Sequence, residues 1–201
     1  MKTKNYLFII LNLAVAISFF YINKIPIPKE YFNIASLLWN AILGLLLALI
    51  FINREFLAQI KTFSIKWLIL GLSLTSFVAY LANYLYSTYV TSPAISNLFS
   101  KDIETLFLAL PVLVLGQEII STNVTTGLKK LGLNFWFASI IVAILFAFWH
   151  IKYYGFIPLQ LLAIIAPIRL ALNYVWKESS SLLVVVLVHY IFNVLAFVIY
   201  Y

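Results

Sequence analysis

Seven stretches of this chain are apolar for long enough to cross a lipid bilayer, and that pattern decides the fold class before any motif is considered. A membrane helix needs roughly 20 mostly apolar residues. The stretches are residues 6–22, 34–52, 67–89, 103–125, 135–154, 157–172 and 182–201. Composition agrees, with 65% apolar and 9% charged residues, against about 45–50% and about 25% in soluble domains. A soluble core of this size could not hide so much apolar surface, so the excess faces lipid. A soluble globular enzyme, a disordered chain, a coiled coil and a disulfide scaffold are excluded. The chain has no Cys, which removes thiol nucleophiles and thiolate metal sites. The fold expected is an all-α polytopic membrane helix bundle of about seven transmembrane helices. It forms a single integral membrane domain over residues 1–201 with a polar intramembrane cavity.

The sixth stretch is short and contains Pro158 and Pro167. Proline removes a backbone donor and kinks a helix, which lipid tolerates only beside protein neighbours. The first stretch begins like a signal peptide, with Lys2 and Lys4 before an apolar run and Ala14-Val15-Ala16 resembling a cleavage site. The run continues to Ile22, which favours an uncleaved first span. A serine of Ser179-Ser180-Ser181 is expected to cap the last helix.

Orientation follows the cationic loops. With a cytoplasmic N-terminus, Lys2, Lys4, Arg54, Lys61, Lys66, Lys129, Lys130, Arg169 and Lys177 lie inside. Lys24, Lys29, Lys101 and Lys152 lie outside. Nine against four supports a multi-pass protein of the cell membrane, N-terminus in, with Tyr201 outside for seven spans, or inside for six if the sixth stretch is re-entrant. The net charge of +7 is thus a topology signal, and no clustered basic face points to nucleic acid. Trp67, Tyr89, Tyr153, Tyr154, Trp176, Tyr200 and Tyr201, near span ends, fit an interfacial belt.

Against this background three ionisable residues stand out. Glu30, Glu55, Asp102, Glu104 and Glu178 lie in polar flanks, and Glu118 alone among the acids lies in an apolar stretch. Both histidines, His150 and His189, also lie in apolar stretches. A charge at mid-bilayer costs roughly 2.5–3.5 kcal/mol on insertion scales, so a functional role is the default reading. One acid and two histidines on three spans form a constellation. Gln117, Glu118, Ser121, Thr122 and Thr125 make one polar stripe on a helix, directed away from lipid. His189 and Asn193 are four apart and share a face. Imidazole nitrogens beside a carboxylate suit metal- or base-assisted activation of water. The hydroxyls of Ser121, Thr122 and Thr125 are expected to bond back to their own helix. Arg169, near the end of its stretch, reads as a snorkelling or topology residue, and Asn173 carries no assignment. Soluble-enzyme motifs are missing: no H-E-x-x-H, Walker A loop, dinucleotide fingerprint or G-x-S-x-G elbow.

At these residues the chain resembles the CPBP intramembrane proteases, the group of type II CAAX prenyl endopeptidases and bacteriocin-processing or immunity-associated membrane proteins. Their motifs are E-E-x-x-x-R, F-x-x-x-H and H-x-x-x-N or H-x-x-x-D on successive membrane helices. The second stands here as Phe146-Ala147-Phe148-Trp149-His150 and the third as His189-Tyr190-Ile191-Phe192-Asn193. The first is degraded to Gln117-Glu118-Ile119-Ile120-Ser121-Thr122, with Gln117 at the first glutamate and Thr122 at the arginine. The resemblance covers about residues 103–201.

The resemblance implies a membrane metalloendopeptidase that hydrolyses a peptide, or a prenylated or membrane-associated peptide, near the membrane interface in bacteriocin processing or self-immunity. Glu118 would be the acid/base group, and His150 and His189 ligands to water or to a divalent metal such as Zn. Asn193 would orient the substrate or hold an oxyanion. Gln117 stands where the family's main base is expected, and an amide cannot take a proton at neutral pH. Either Glu118 substitutes, or the chain is an inactive family member acting as a membrane immunity or binding protein. Thr122 removes a cation that could have held the glutamate ionised. Counted from the inner span ends at about 1.5 Å per residue, Glu118 and His189 lie about 10–15 Å deep and His150 about 23 Å.

Overall fold

A computed structural model describes residues 2–90, 94 and 105–200. Thr91-Ser92-Pro93, Lys101, Asp102, Glu104, the start of the fourth stretch at residue 103 and Tyr201 lie outside the described residues. Every long element is helical. Helix α1 spans Lys2–Ser18 and runs on as a tighter turn, Phe19–Lys24. It is followed by α2, Lys29–Lys61, α3, Ile65–Tyr89, α4, Leu110–Lys130, and α5, Phe135–Trp149. Pro158–Ser179 forms α6, and Leu182–Tyr200 forms α7. Among the described residues, six helices are long and apolar enough to cross a membrane, and α7 adds a shorter apolar run over Leu182–Phe197. The chain is a polytopic helical membrane protein.

Polar residues set the helix ends. Ser64 Oγ accepts from Trp67 N at 3.3 Å to start α3. Asn134 Oδ1 accepts from Phe137 N at 3.0 Å to start α5. Ser181 Oγ accepts from Val184 N at 3.1 Å, the serine cap expected for the last helix. Gly132, at φ +103°, turns the chain out of α4 in a conformation that costs glycine little.

Several boundaries differ from those of the apolar stretches. The second stretch was bounded at Ile52, but α2 only kinks there (φ −136°, ψ 29°) and continues to Lys61. The fourth helix runs past Thr125 to Lys130. The sixth is the largest difference. Pro158 occupies the first turn, where its missing N–H costs nothing. A π-type segment, Leu161–Ile165, widens the helix just before Pro167, where a proline ring would otherwise meet the preceding turn. The helix then continues to Ser179, so Arg169 sits near its middle rather than near its end.

Helix α4 is the central post, packed against α1, α2, α5 and α7, while α6 packs against α3, α5 and α7. These two are the most buried of the spans. Close approach is built in at Gly116, where a Cβ would lie 2.9 Å from the backbone nitrogen of Ala41 on α2. Small residues at such crossings let membrane helices pack backbone to backbone. A polar clamp fastens α1: Asn123 Nδ2 donates to Asn12 Oδ1 at 2.9 Å and to the Gly44 carbonyl at 3.0 Å. The two most buried spans, α4 and α6, thus carry the buried acid Glu118 and the buried arginine Arg169.

Candidate active site

Glu118 lies on the buried face of α4, with no exposed surface. Arg169, equally buried on α6, meets it as a fork. Nη1 donates to Oε1 at 2.6 Å and Nη2 to Oε2 at 2.8 Å. His189 on α7 places Nδ1 2.6 Å from the same Oε1. An arginine cannot be deprotonated in a protein, so the paired carboxyl is an acceptor only. His189 Nδ1 must therefore carry the proton, and its Nε2 is left bare in the neutral ring.

The network continues away from the carboxylate. Arg169 Nε donates to Asn173 Oδ1 at 2.8 Å, and Asn173 Nδ2 donates to the Ser139 carbonyl on α5 at 3.4 Å. Four helices are thus joined through one chain of polar contacts. Arg169 was expected to be a topology residue and Asn173 had no role; both belong to the interior cluster. The continuation of α6 from Leu172 to Ser179 moves Arg169 from the end of the span to its middle. Thr122 remains on its own helix, its Oγ1 donating to the Glu118 carbonyl at 2.8 Å, as Thr125 does to Ser121 at 2.8 Å.

Phe146 explains the spacing of its motif. One turn before His150, its carbonyl accepts from His150 Nδ1 at 2.8 Å. A carbonyl cannot donate, so His150 also carries its proton on Nδ1 and keeps Nε2 bare when neutral. The Phe146 ring packs against His150, with centroids 4.5 Å apart, and against His189 at 6.0 Å. The guanidinium carbon of Arg169 lies 5.2 Å from the same ring, a cation–π contact. Both histidines therefore rest on one phenylalanine, although α5 ends at His150, which caps it (φ −77°, ψ −2°). With α4 ending at Lys130, Glu118 lies about 18 Å from that end and His150 about 23 Å from Phe135, which narrows the depth offset expected from the sequence.

Gln117 and Asn193 are half-buried. Asn193 stands one turn beyond His189 on α7, and among the described residues neither side chain has a hydrogen-bond partner. Beside the network, a cavity of about 40 Å³ is lined by apolar side chains together with Ser121, Phe146 and Trp149. The polar side chains themselves are packed against one another.

The donor set does not fit a resident metal ion. Among the described residues, no three His, Asp or Glu side chains converge as ligands. Glu118 Oε1 and Oε2 are committed to Arg169, whose charge would repel a cation at that carboxylate. The side chains gathered at the site are two oriented imidazoles, an amide and a buried ion pair.

A family model, type II CAAX prenyl endopeptidase Rce1-like, matches residues 56–195. The chain belongs to that family. The match starts well before residue 103, so it takes in α3 and the end of α2 as well as the motif helices. No curated protein and no solved structure matches the chain. Membership in the Rce1-like family supports an intramembrane CAAX-type protease or a related protein.

Proposed function

We propose that this Rce1-like protein is an intramembrane endopeptidase in which the histidines, not a glutamate, handle the proton of the attacking water. The observation that carries the reading is the 2.6 Å contact of His189 Nδ1 with Glu118. A carboxylate on Nδ1 holds the ring in the tautomer whose Nε2 accepts a proton and stabilises the imidazolium that results. Glu118 is then a positioning residue, since its oxygens already accept from Arg169 and His189 and it has no exposed surface. Water adds to the scissile carbonyl as its proton passes to Nε2 of His189, and that proton then goes to the leaving amine. His150, fixed by the Phe146 carbonyl, orients the water or the carbonyl, with Asn193 as a further donor. The substrate class is a peptide at the membrane interface, prenylated or otherwise membrane-associated, in bacteriocin processing or immunity. In this reading the protein lies in the cell membrane with a cytoplasmic N-terminus, which the Lys and Arg bias of its loops supports.

Gln117 favours a second reading, in which the chain keeps the scaffold as an immunity or binding protein without hydrolysis. A fluorogenic farnesylated C-a-a-X peptide, presented to the protein in liposomes, separates the two. The peptidase reading expects cleavage that falls about 10²–10⁴-fold in His189→Gln with helical content intact. Absence of cleavage by the folded wild-type protein across prenylated and unprenylated peptides supports the binding reading.

A further inference from the structure

In the motif the chain resembles, an arginine stands four residues after the second glutamate. Here that position is Thr122. Residues four apart on a helix share a face, and the Thr122 hydroxyl lies against the Glu118 carbonyl at 2.8 Å. An arginine at 122 would thus reach the Glu118 carboxylate from within α4. The cation that does reach it comes from elsewhere. Arg169 on α6 presents both Nη atoms to the two carboxylate oxygens. Asn173 occupies Nε at 2.8 Å, and the Phe146 ring lies beside the guanidinium. The fork is therefore fixed at its third donor and packed on an aromatic ring, so only one carboxylate geometry satisfies it.

We infer that Arg169 and Asn173 are a transplanted positioning pair: from α6 they give Glu118 the cation that position 122 does not give from α4, and through Glu118 they fix the Nδ1-protonated tautomer of His189. The pair does not touch a reacting atom. It acts on the bare Nε2 through two intermediaries, a carboxylate and an imidazole. The inference deepens the reading of His189 as the base and rests on that reading for its catalytic consequence, while its own evidence is the geometry of the ion pair.

The test uses the full-length protein in nanodiscs with ¹⁵N-labelled histidine. His150 and His189 are the only histidines in the chain, so two rings account for the spectrum, and His150→Gln assigns them. The wild type is expected to show His189 protonated on Nδ1 with Nε2 bare. Arg169→Ala is expected to lower Tm by roughly 10 °C and to move the His189 signals toward the mixed tautomers of a free imidazole. Thr122→Arg added to Arg169→Ala is expected to regain at least half of the lost Tm together with the Nδ1 tautomer. A proton on Nε2 of His189 in the folded wild type overturns the inference, whatever the variants do. So does a double variant that recovers neither property, or that recovers Tm without the tautomer. If Arg169→Ala does not fold, folding of the double variant becomes the readout, and its failure to fold counts against the inference. None of these signals depends on cleavage, so an inactive wild type would sink the peptidase reading and leave this result to stand or fall separately.

Discussion

Nδ1 of His189 and Oε1 of Glu118 are 2.6 Å apart in the interior of the bundle, and Arg169 holds that same oxygen at 2.6 Å. The oxygen that faces the imidazole is thus already neutralised by a permanent cation. Such a carboxylate is a poor sink for the proton of water and a good orienting group for a histidine. The roles follow from this ordering: charge on α6, carboxylate on α4, imidazole on α7. The mid-bilayer acid is tolerated because it is paired, and the pair is tolerated because Asn173 and Phe146 satisfy the remaining faces of the guanidinium.

Glu118→Gln should destabilise the protein. Viewed as a lone acid in lipid, Glu118 would be better replaced by an amide of nearly equal volume. With Arg169 opposite, the amide strands a buried guanidinium. Breaking one side of a buried ion pair costs about 3–5 kcal/mol, whereas replacing both partners by apolar residues is often neutral or better. Thermal unfolding in detergent should therefore rank Glu118→Gln well below wild type and Glu118→Leu/Arg169→Leu above the single variant. A Glu118→Gln protein as stable as wild type would mean that the ion pair contributes nothing.

Phe146→Ala should loosen both histidines at once. The ring is the common surface beneath His150 and His189, while the carbonyl that fixes His150 survives the substitution. Truncating a buried phenylalanine typically costs about 3–5 kcal/mol. The specific expectation is that His189 and His150 ring resonances both broaden, with the Nδ1 proton of His150 retained. Broadening at one ring alone would show that Phe146 supports only that histidine.

Much of the cluster was legible because lipid makes polar residues conspicuous. Glu118, His150 and His189 each interrupt an apolar run, and the structure brings Glu118 and His189 into contact and sets His150 on the same phenylalanine as His189. Arg169 was hidden by helix length. The two prolines and the polar residues Asn173, Lys177 and Glu178 make residues 157–172 read as a short span, and a cation near a span end reads as a snorkelling anchor. The π-type segment Leu161–Ile165, which lets the helix carry Pro167 and continue to Ser179, has no sequence signature comparable to an N-cap. One signal could have exposed the pair: Arg169 and Asn173 are four apart on one face of the helix, a polar stripe like that of α4. The kink at Ile52 shortens the second stretch in the same way, because a change of composition there coincides with a bend rather than with an end.

The loop between α4 and α5 should be cytoplasmic. Arg169 no longer counts among loop cations, being fully buried, which leaves eight inside against four outside, the same sign of bias. Lys129 and Lys130 close α4, and Lys130 pairs with Glu55 at 2.6 Å beyond the α2 kink, so both helices end at one face. A reporter fused after Lys130 should be active in the cytoplasm-dependent form and silent in the export-dependent form. The reverse result would invert the whole topology, since the two helix ends are tied together.

Gln117→Glu is the substitution that most directly separates hydrolysis from binding. Position 117 is where the family pattern carries its first glutamate, and a carboxylate there could take a proton that an amide cannot. The site can receive it without breaking an existing contact, because the Gln117 side chain is half-buried and makes no hydrogen bond among the described residues. A second acid one residue from Glu118 introduces like-charge repulsion, but Arg169 already neutralises the Glu118 carboxylate. Under the peptidase reading, the variant should preserve cleavage of the prenylated peptide or raise it, and should lower the dependence on His189. Under the binding reading, protection of cells challenged with the cognate peptide should be unchanged while no cleavage is gained. A Gln117→Glu protein that folds, retains protection and still cleaves nothing would assign the scaffold to binding. One in which cleavage rises would place the missing proton acceptor at position 117 and the orienting work at Glu118.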